Sequence, residues 1–302
     1  MDAPAAPTAD KTRTGLGLGI GAYALWGLLP IYFKLLAGVP AVAIVAHRIV
    51  WSLLILGALL TVSRAWSEVG AALRNRASLK LLAATSVLIG INWLIYVYAV
   101  NSGHILAGSL GYYLNPLANI LLGRFVLGEP LSRRQWLAVA IAAVGVSILA
   151  VGALAHLWIS LTLCVSFALY GLLRKVAHVD ATAGLTVETL ILFVPAVLWL
   201  GWASLGTAPV WGLDQTDTIL LVFTGVASTI PLLLFTAAAR RLPYSTLGIL
   251  QFIAPTLQFL VAVFLYGEPF TTAHAWAFGF IWTAALLYLS SAFNRRAPST
   301  ND

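Results

Sequence analysis

Apolar residues come in blocks of about twenty, the length that carries an α-helix across a hydrocarbon core of roughly 30 Å, and short polar stretches separate each block from the next. The blocks fall at 15–36, 41–62, 81–100, 105–127, 135–151, 157–175, 183–203, 218–239, 244–266 and 273–292, and they predict ten transmembrane helices. Within a block the hydrophobic positions run on instead of alternating with polar ones. A membrane barrel, which needs short two-faced strands, is therefore not predicted.

The pattern also repeats. Residues 91–130 recur without a gap 139 positions later as 230–269, with Ile91, Leu94, Ala99, Pro116, Leu121, Phe125 and Gly128-Glu129-Pro130 matched by Ile230, Leu233, Ala238, Pro255, Leu260, Phe264 and Gly267-Glu268-Pro269. Apolar helices match one another by chance at Leu and Ile, but a Pro and a Gly-Glu-Pro in fixed register point to duplication. A weaker echo links Trp26-Gly27-Leu28-Leu29 to Tyr170-Gly171-Leu172-Leu173, so the duplication is read across the chain: a first five-helix repeat at 15–151 and a second at 157–292. Residues 1–14, rich in Ala, Pro, Asp and Thr, read as a disordered cytoplasmic tail, and 293–302 as a cytoplasmic tail. Five helices is an odd number, so the second repeat is expected upside down relative to the first, as in many carriers that open alternately to each side.

Composition closes off the soluble alternatives. With 61% apolar and 9% charged residues over 302 positions, there is too little polar surface to clothe a globule of this size. The net charge of +7 would suit nucleic acid, but the basic residues are placed as topology signals. Lys11, Arg13, Arg64, Arg74, Arg76, Lys80, Arg133, Arg134, Arg174, Lys175, Arg240, Arg241, Arg295 and Arg296 fall in segments of one side, while Asp214 and Asp217 lie in the longest loop of the other and Lys34 at the outer end of the first helix. The positive-inside rule then sets both termini in the cytoplasm, and the basic residues meet anionic lipid, not nucleic acid. A single cysteine, Cys164, precludes an intramolecular disulfide.

Three ionisable groups stand inside apolar blocks: His47 and Arg48 in the second, and Glu188 in the seventh, its repeat counterpart. Such groups cost about 2.5 to 3.5 kcal/mol on insertion scales, so they are functional candidates by default. Counting residues from the helix centres at 1.5 Å each sets Arg48 and Glu188 roughly 12 Å apart along the membrane normal, and a direct pair would require both side chains to stretch. A second constellation combines rings and amides: Trp93, Tyr96, Tyr112, Tyr113, Asn115 and Asn119 in the first half, Gln251 and Gln258 in the second. Asn115-Pro116 and Ala254-Pro255 are expected to interrupt the fourth and ninth helices at matching depths, because a proline frees a carbonyl that membranes tolerate only where protein or a wet cavity satisfies it. The group predicts a central cavity walled by the third, fourth, eighth and ninth helices. Glu129 and Glu268 read as punctuation at helix junctions, where Gly ends one helix and Pro starts the next. The remaining histidines, His104, His156, His178 and His274, lie near helix ends without metal-ligand spacing, and neither metal nor cofactor is expected.

These residues resemble the drug/metabolite transporter superfamily, in particular its EamA-type branch and the RarD group within it. The resemblance is carried by Trp26-Gly27-Leu28-Leu29-Pro30, Ala46-His47-Arg48-Ile49-Val50-Trp51-Ser52, Asn92-Trp93, Gly111-Tyr112-Tyr113-Leu114-Asn115-Pro116-Leu117, Leu169-Tyr170-Gly171-Leu172-Leu173-Arg174-Lys175, Val187-Glu188-Thr189, Pro231-Leu232-Leu233-Leu234-Phe235 and Leu250-Gln251-Phe252-Ile253-Ala254-Pro255-Thr256-Leu257-Gln258-Phe259. It implies a ten-helix carrier of the bacterial inner membrane with two EamA repeats, moving small amphiphilic metabolites or drugs, and leaves the substrate open.

Other classes are weaker. No His-Glu-x-x-His, Gly-x-Ser-x-Gly or helix-embedded pair of aspartates equips the chain as an intramembrane enzyme. A channel or uncoupled facilitator is the main alternative, told from a carrier by whether flux saturates. With no Gly-rich phosphate loop, ATP is not expected as the direct energy source, which leaves ion coupling or facilitated movement. Glu188 is the first candidate to carry a proton and His47 the second, since hydrocarbon pushes both toward neutrality.

Overall fold

The apolar blocks fold as helices in the computed structural model, which describes residues 9–126, 128, 131–152, 154–177, 179–239, 241 and 250–294. In chain order these are α1 (Ala9–Lys34), α2 (Ala41–Ser63), α3 (Trp66–Arg74), α4 (Arg76–Asn101), α5 (Ile105–Phe125), α6 (Arg133–Gly152), α7 (Leu154–Val176), α8 (Ala181–Ala203), α9 (Gln215–Ala239), α10 (Ile253–Leu260), a π-helical turn (Val261–Leu265) and α11 (Thr272–Asn294). No strand occurs among the described residues. Seven described helices are long and apolar enough to cross a bilayer, and Ile253–Leu265 and Thr272–Leu287 are shorter apolar helices.

Helix starts differ from the reading of the sequence by a few residues, most at α1 and α4, and one helix is additional. Helix α1 begins at Ala9, within the stretch assigned to a disordered tail; residues 1–8 lie outside the described residues. Helix α4 begins at Arg76 and not at 81, because the Asn75 side chain accepts hydrogen bonds from the amides of Ala77 and Ser78, each at 3.0 Å, and caps the earlier start. Between them lies α3, which the apolar pattern does not announce. It is amphipathic: Val69 and Ala72 pack on Leu60, Leu82, Ala183 and Val187, while Glu68 and Arg74 sit in its first and last turns, where the helix dipole favours them.

Packing is pairwise between sequence-distant helices. α6 lies along α11, α5 on α7, α1 and α2 on α9, α2 on α8, α4 on α7 and α8, and α10 on α1 and α5. The α5–α7 seam is close because Gly111 lacks a side chain: a Cβ there would stand 2.7 Å from the Ser160 carbonyl oxygen. At one end of the bundle, Lys34 Nζ donates to the Val100 carbonyl at 3.1 Å, and Asn101 Nδ2 donates to that of Leu36 at 3.4 Å, tying α1 to the end of α4. The π-helical turn and Gly267, held at φ 62° where a side chain is strained, carry Glu268 back over the start of α5 at this same end. Gly128, the repeat counterpart of Gly267, also has positive φ, at 70°.

Candidate substrate-binding site

Arg48 lies on α2 with 7% of its surface exposed, and its guanidinium sits over the Trp93 ring of α4, 4.3 Å from the centroid. Tyr96, one turn along α4, and Tyr112 of α5 are within electrostatic reach of the same charge, and their rings are 5.6 Å apart. A desolvated cation–π contact returns about 2 kcal/mol, comparable with part of the cost of the buried charge. Arg48 Nε nevertheless has no hydrogen-bond partner, nor does the Tyr96 hydroxyl, nor Ser52 one turn further along α2. Among the described residues the ion pair is Arg174–Glu188, so no carboxylate neutralises Arg48.

Glu188, 1% exposed on α8, is satisfied elsewhere. Its Oε1 accepts from the Thr85 hydroxyl at 2.6 Å and lies 3.7 Å from Arg174 Nε, while Oε2 accepts from the Tyr170 hydroxyl at 3.1 Å. A line of rings connects the two charges: Tyr112 meets Phe167 at 6.0 Å, and Phe167 meets Tyr170 at 6.1 Å. Tyr112 is fixed by donating its hydroxyl to Asn92 Oδ1 at 3.0 Å, and Asn92 Nδ2 donates to the Leu163 carbonyl and the Ser166 hydroxyl of α7. Thr85, Asn92, Tyr170 and Arg174 thus belong to the site although sequence reasoning did not choose them. Asn92, Tyr170 and Arg174 fall within the resemblance motifs, which is their signal in the sequence, although Arg174 also reads as one more topology charge.

His47 has a different setting. Its Nε2 is 2.9 Å from the Val210 carbonyl, its ring meets Trp211 at 4.7 Å, and Trp51 Nε1 lies 3.3 Å from Nδ1. An indole nitrogen only donates and a carbonyl only accepts, so both bonds are satisfied by one species, the neutral imidazole protonated on Nε2. This geometry docks the loop before α9 onto α2.

The rest of the predicted ring-and-amide group disperses. Tyr113 turns away from Tyr112 to stack on Phe252 at 6.2 Å and hydrogen-bond Thr256. Asn115 is 1% exposed, with neither amide atom partnered. Asn119 is exposed and Gln251 half-buried. Gln258 donates to the Trp26 carbonyl at 3.3 Å and leaves its oxygen without a partner. The matched proline breaks are a correction: α5 runs unbroken through Pro116, whereas Pro255 stands in the first turn of α10 after a turn at Gln251–Phe252, where its missing N–H is not needed. The charged cluster is carried by α2, α4, α5, α7 and α8, while the predicted amides Asn115 and Gln258 stand on α5 and α10, which pack on each other.

A separate cavity of about 210 Å³ opens at the Lys34 end between α5, α7 and α11, lined among others by His104, Ser160, Glu268, His274 and Phe278. Glu268 caps α5 there, its two oxygens accepting from the amides of Ile105 at 2.6 Å and Leu106 at 2.8 Å. The role is more specific than punctuation. Burial raises the proton affinity of this carboxyl, and the two amide bonds and nearby Lys34 oppose the rise. His104 and His156 stack with centroids 3.9 Å apart, and burial followed by the His156 and Lys34 charges lowers the pKa of His104. Glu129, the repeat counterpart of Glu268, lies outside the described residues.

With this geometry in place, similarity to known proteins decides the family. The profile of the EamA-like transporter family matches residues 13–151. An uncharacterized transporter of Vibrio cholerae is 45% identical over 93% of this chain and 94% of its own length, and the RarD protein of Escherichia coli is 42% identical over 94% and 96%. The chain belongs to the EamA-like transporter family, RarD group. This EamA-type chain is also 36% identical to the chloramphenicol-sensitive protein RarD of Pseudomonas aeruginosa, over 90% of the chain and 92% of that protein. One solved crystal structure, 19% identical, shares its fold with a TM-score of 0.62 over 94% of this chain and 99% of that one. An EamA-type chain with these apolar helices is a multi-pass membrane protein of a transport family.

Proposed function

We propose that the chain is a secondary carrier of the bacterial inner membrane, moving small amphiphilic metabolites or drugs by alternating access between two inverted five-helix repeats. The observation that carries this reading is the pairing of helices. Let α1, α2, α4, α5 and α6 form the first repeat, and α7, α8, α9, α10 and α11 the second. Exchanging the repeats turns the α5–α7 contact into α10–α1, α4–α7 into α9–α1 and α4–α8 into α9–α2, and leaves α2–α8, α6–α11 and α5–α10 as themselves. Each of these pairs is present, which supports a pseudo-twofold relation and a substrate path between the halves. The positive-φ glycines Gly128 and Gly267 add local support.

Coupling to protons is part of the proposal, with Glu188 as carrier. In the present arrangement Arg174 and Tyr170 of α7 and Thr85 of α4 favour its charged form; movement of α7 away from α8 would strip Arg174 and Tyr170, leave Thr85, and let the carboxylate take a proton in apolar surroundings. His47 is the weaker candidate, since both of its nitrogens are engaged. The test is flux in proteoliposomes of the purified protein. A carrier gives saturable flux that substrate on the opposite side accelerates, and a coupled one responds to an imposed pH gradient. Linear, non-exchanging flux would overturn the carrier reading in favour of a channel.

A further inference from the structure

We infer that the substrate is an organic monoanion: a carboxylate on an aromatic or apolar body, docked by its carboxylate on Arg48. The inference rests on the carrier reading and names the chemistry its site selects. Arg48 is a permanent cation, buried at 7% exposure, with Nε unpartnered and the Tyr96 hydroxyl beside it also unpartnered. These are donors without an acceptor, and a carboxylate is the acceptor whose geometry fits a guanidinium. Trp93, Tyr112 and Phe167 are half-buried, and Tyr112 packs on both Tyr96 and Phe167, so the surroundings of the charge are ring faces and edges. Those faces suit an aromatic or apolar body.

Charge balance narrows the class. A cationic substrate would need a free carboxylate, and both oxygens of Glu188 are already taken by Thr85, Arg174 and Tyr170. A single guanidinium neutralises a single charge, which favours a carboxylate over a phosphate dianion. The loaded site would then be neutral, and a neutral site crosses between two open states at lower cost than a charged one.

The experiment uses the full chain in neutral detergent near neutral pH and measures the thermal shift given by 3-phenylpropionate, its neutral amide, phenethylamine and phenyl phosphate. The acid should stabilise the protein saturably, with an affinity at least about tenfold above the amide. Arg48→Gln should bring the acid down to the level of the amide, and Arg48→Lys should retain part of the preference. The comparison of ligands on the unaltered protein stands even if Arg48→Gln fails to fold. Equal binding of amide or amine, tighter binding of phenyl phosphate, an undiminished acid preference in Arg48→Gln, or no saturable binding of the acid would each overturn the inference. Flux separates the two layers. Saturable exchange of the amine without the acid would keep the carrier and remove the anion; a selective acid shift with linear flux would keep the anion site and remove the carrier.

Discussion

A charge buried among apolar helices must be answered by something, and Arg48 and Glu188 are answered in opposite ways. Glu188 has a complete set of protein partners, whereas Arg48 has a ring face and an unpartnered nitrogen. Removing either should therefore act differently. Arg48→Ala should abolish transport while membrane insertion persists, because it takes away a charge that no protein group depends on. Glu188→Gln should keep exchange but lose its response to a pH gradient, measured as uptake with and without an imposed gradient; a gradient response that survives would return Glu188 to a structural role. Thr85→Val leaves Oε1 with Arg174 alone and should lower stability by about 1 to 3 kcal/mol, read from thermal melting in detergent. That these two charges stand inside the helix bundle was legible in the sequence, since both fall within apolar blocks. Their partners were not. Tyr112 and Tyr113 are neighbours in sequence and look equivalent, yet successive helix positions are rotated by about 100°, and only Tyr112 faces Arg48.

Individual helices carry the next layer. Glu268 holds the first two amides of α5 from across the repeat boundary, a relation that no local pattern contains, since its neighbours Gly267 and Pro269 explain the turn without it. Its raised proton affinity has a defined sign. The folded chain binds this proton more tightly than the unfolded chain, so stability falls as pH rises from the ordinary glutamate range through the raised folded value. Glu268→Gln removes that slope. Melting of both proteins from about pH 4 to about pH 7 should show the wild-type advantage shrinking as pH increases; an advantage that grows would mean that the amide bonds outweigh burial. The α5–α7 seam gives a second expectation at this scale. Gly111→Val places a side chain against the Ser160 backbone, which cannot rotate away, and should destabilise by roughly 1 to 3 kcal/mol. Helix existence was legible from hydrophobic length, while α3 was hidden because a nine-residue helix with Glu68 and Arg74 reads as a charged loop.

For the molecule as a whole, the decisive relation is the orientation of one half against the other. The basic residues argue that Ser67 in α3 and the loop at Thr207 lie on opposite sides of the membrane, and both positions are exposed. The proposed five spanning helices per repeat make the same demand from another direction: an odd number would return the second half upside down, with α1 and α7 starting from opposite faces. The exchange of helix pairs follows from any twofold relation between the halves, so labelling of the two sides is what tells an inverted pair from a parallel one. Single-cysteine proteins test it without a structure. In a Cys164→Ser background, Thr207→Cys should react with a membrane-impermeant maleimide in intact cells, and Ser67→Cys should react only after the membrane is opened. Labelling of both from outside, or of Ser67→Cys alone, would remove the inverted arrangement and, with it, the alternating path between the halves on which Arg48 is proposed to sit.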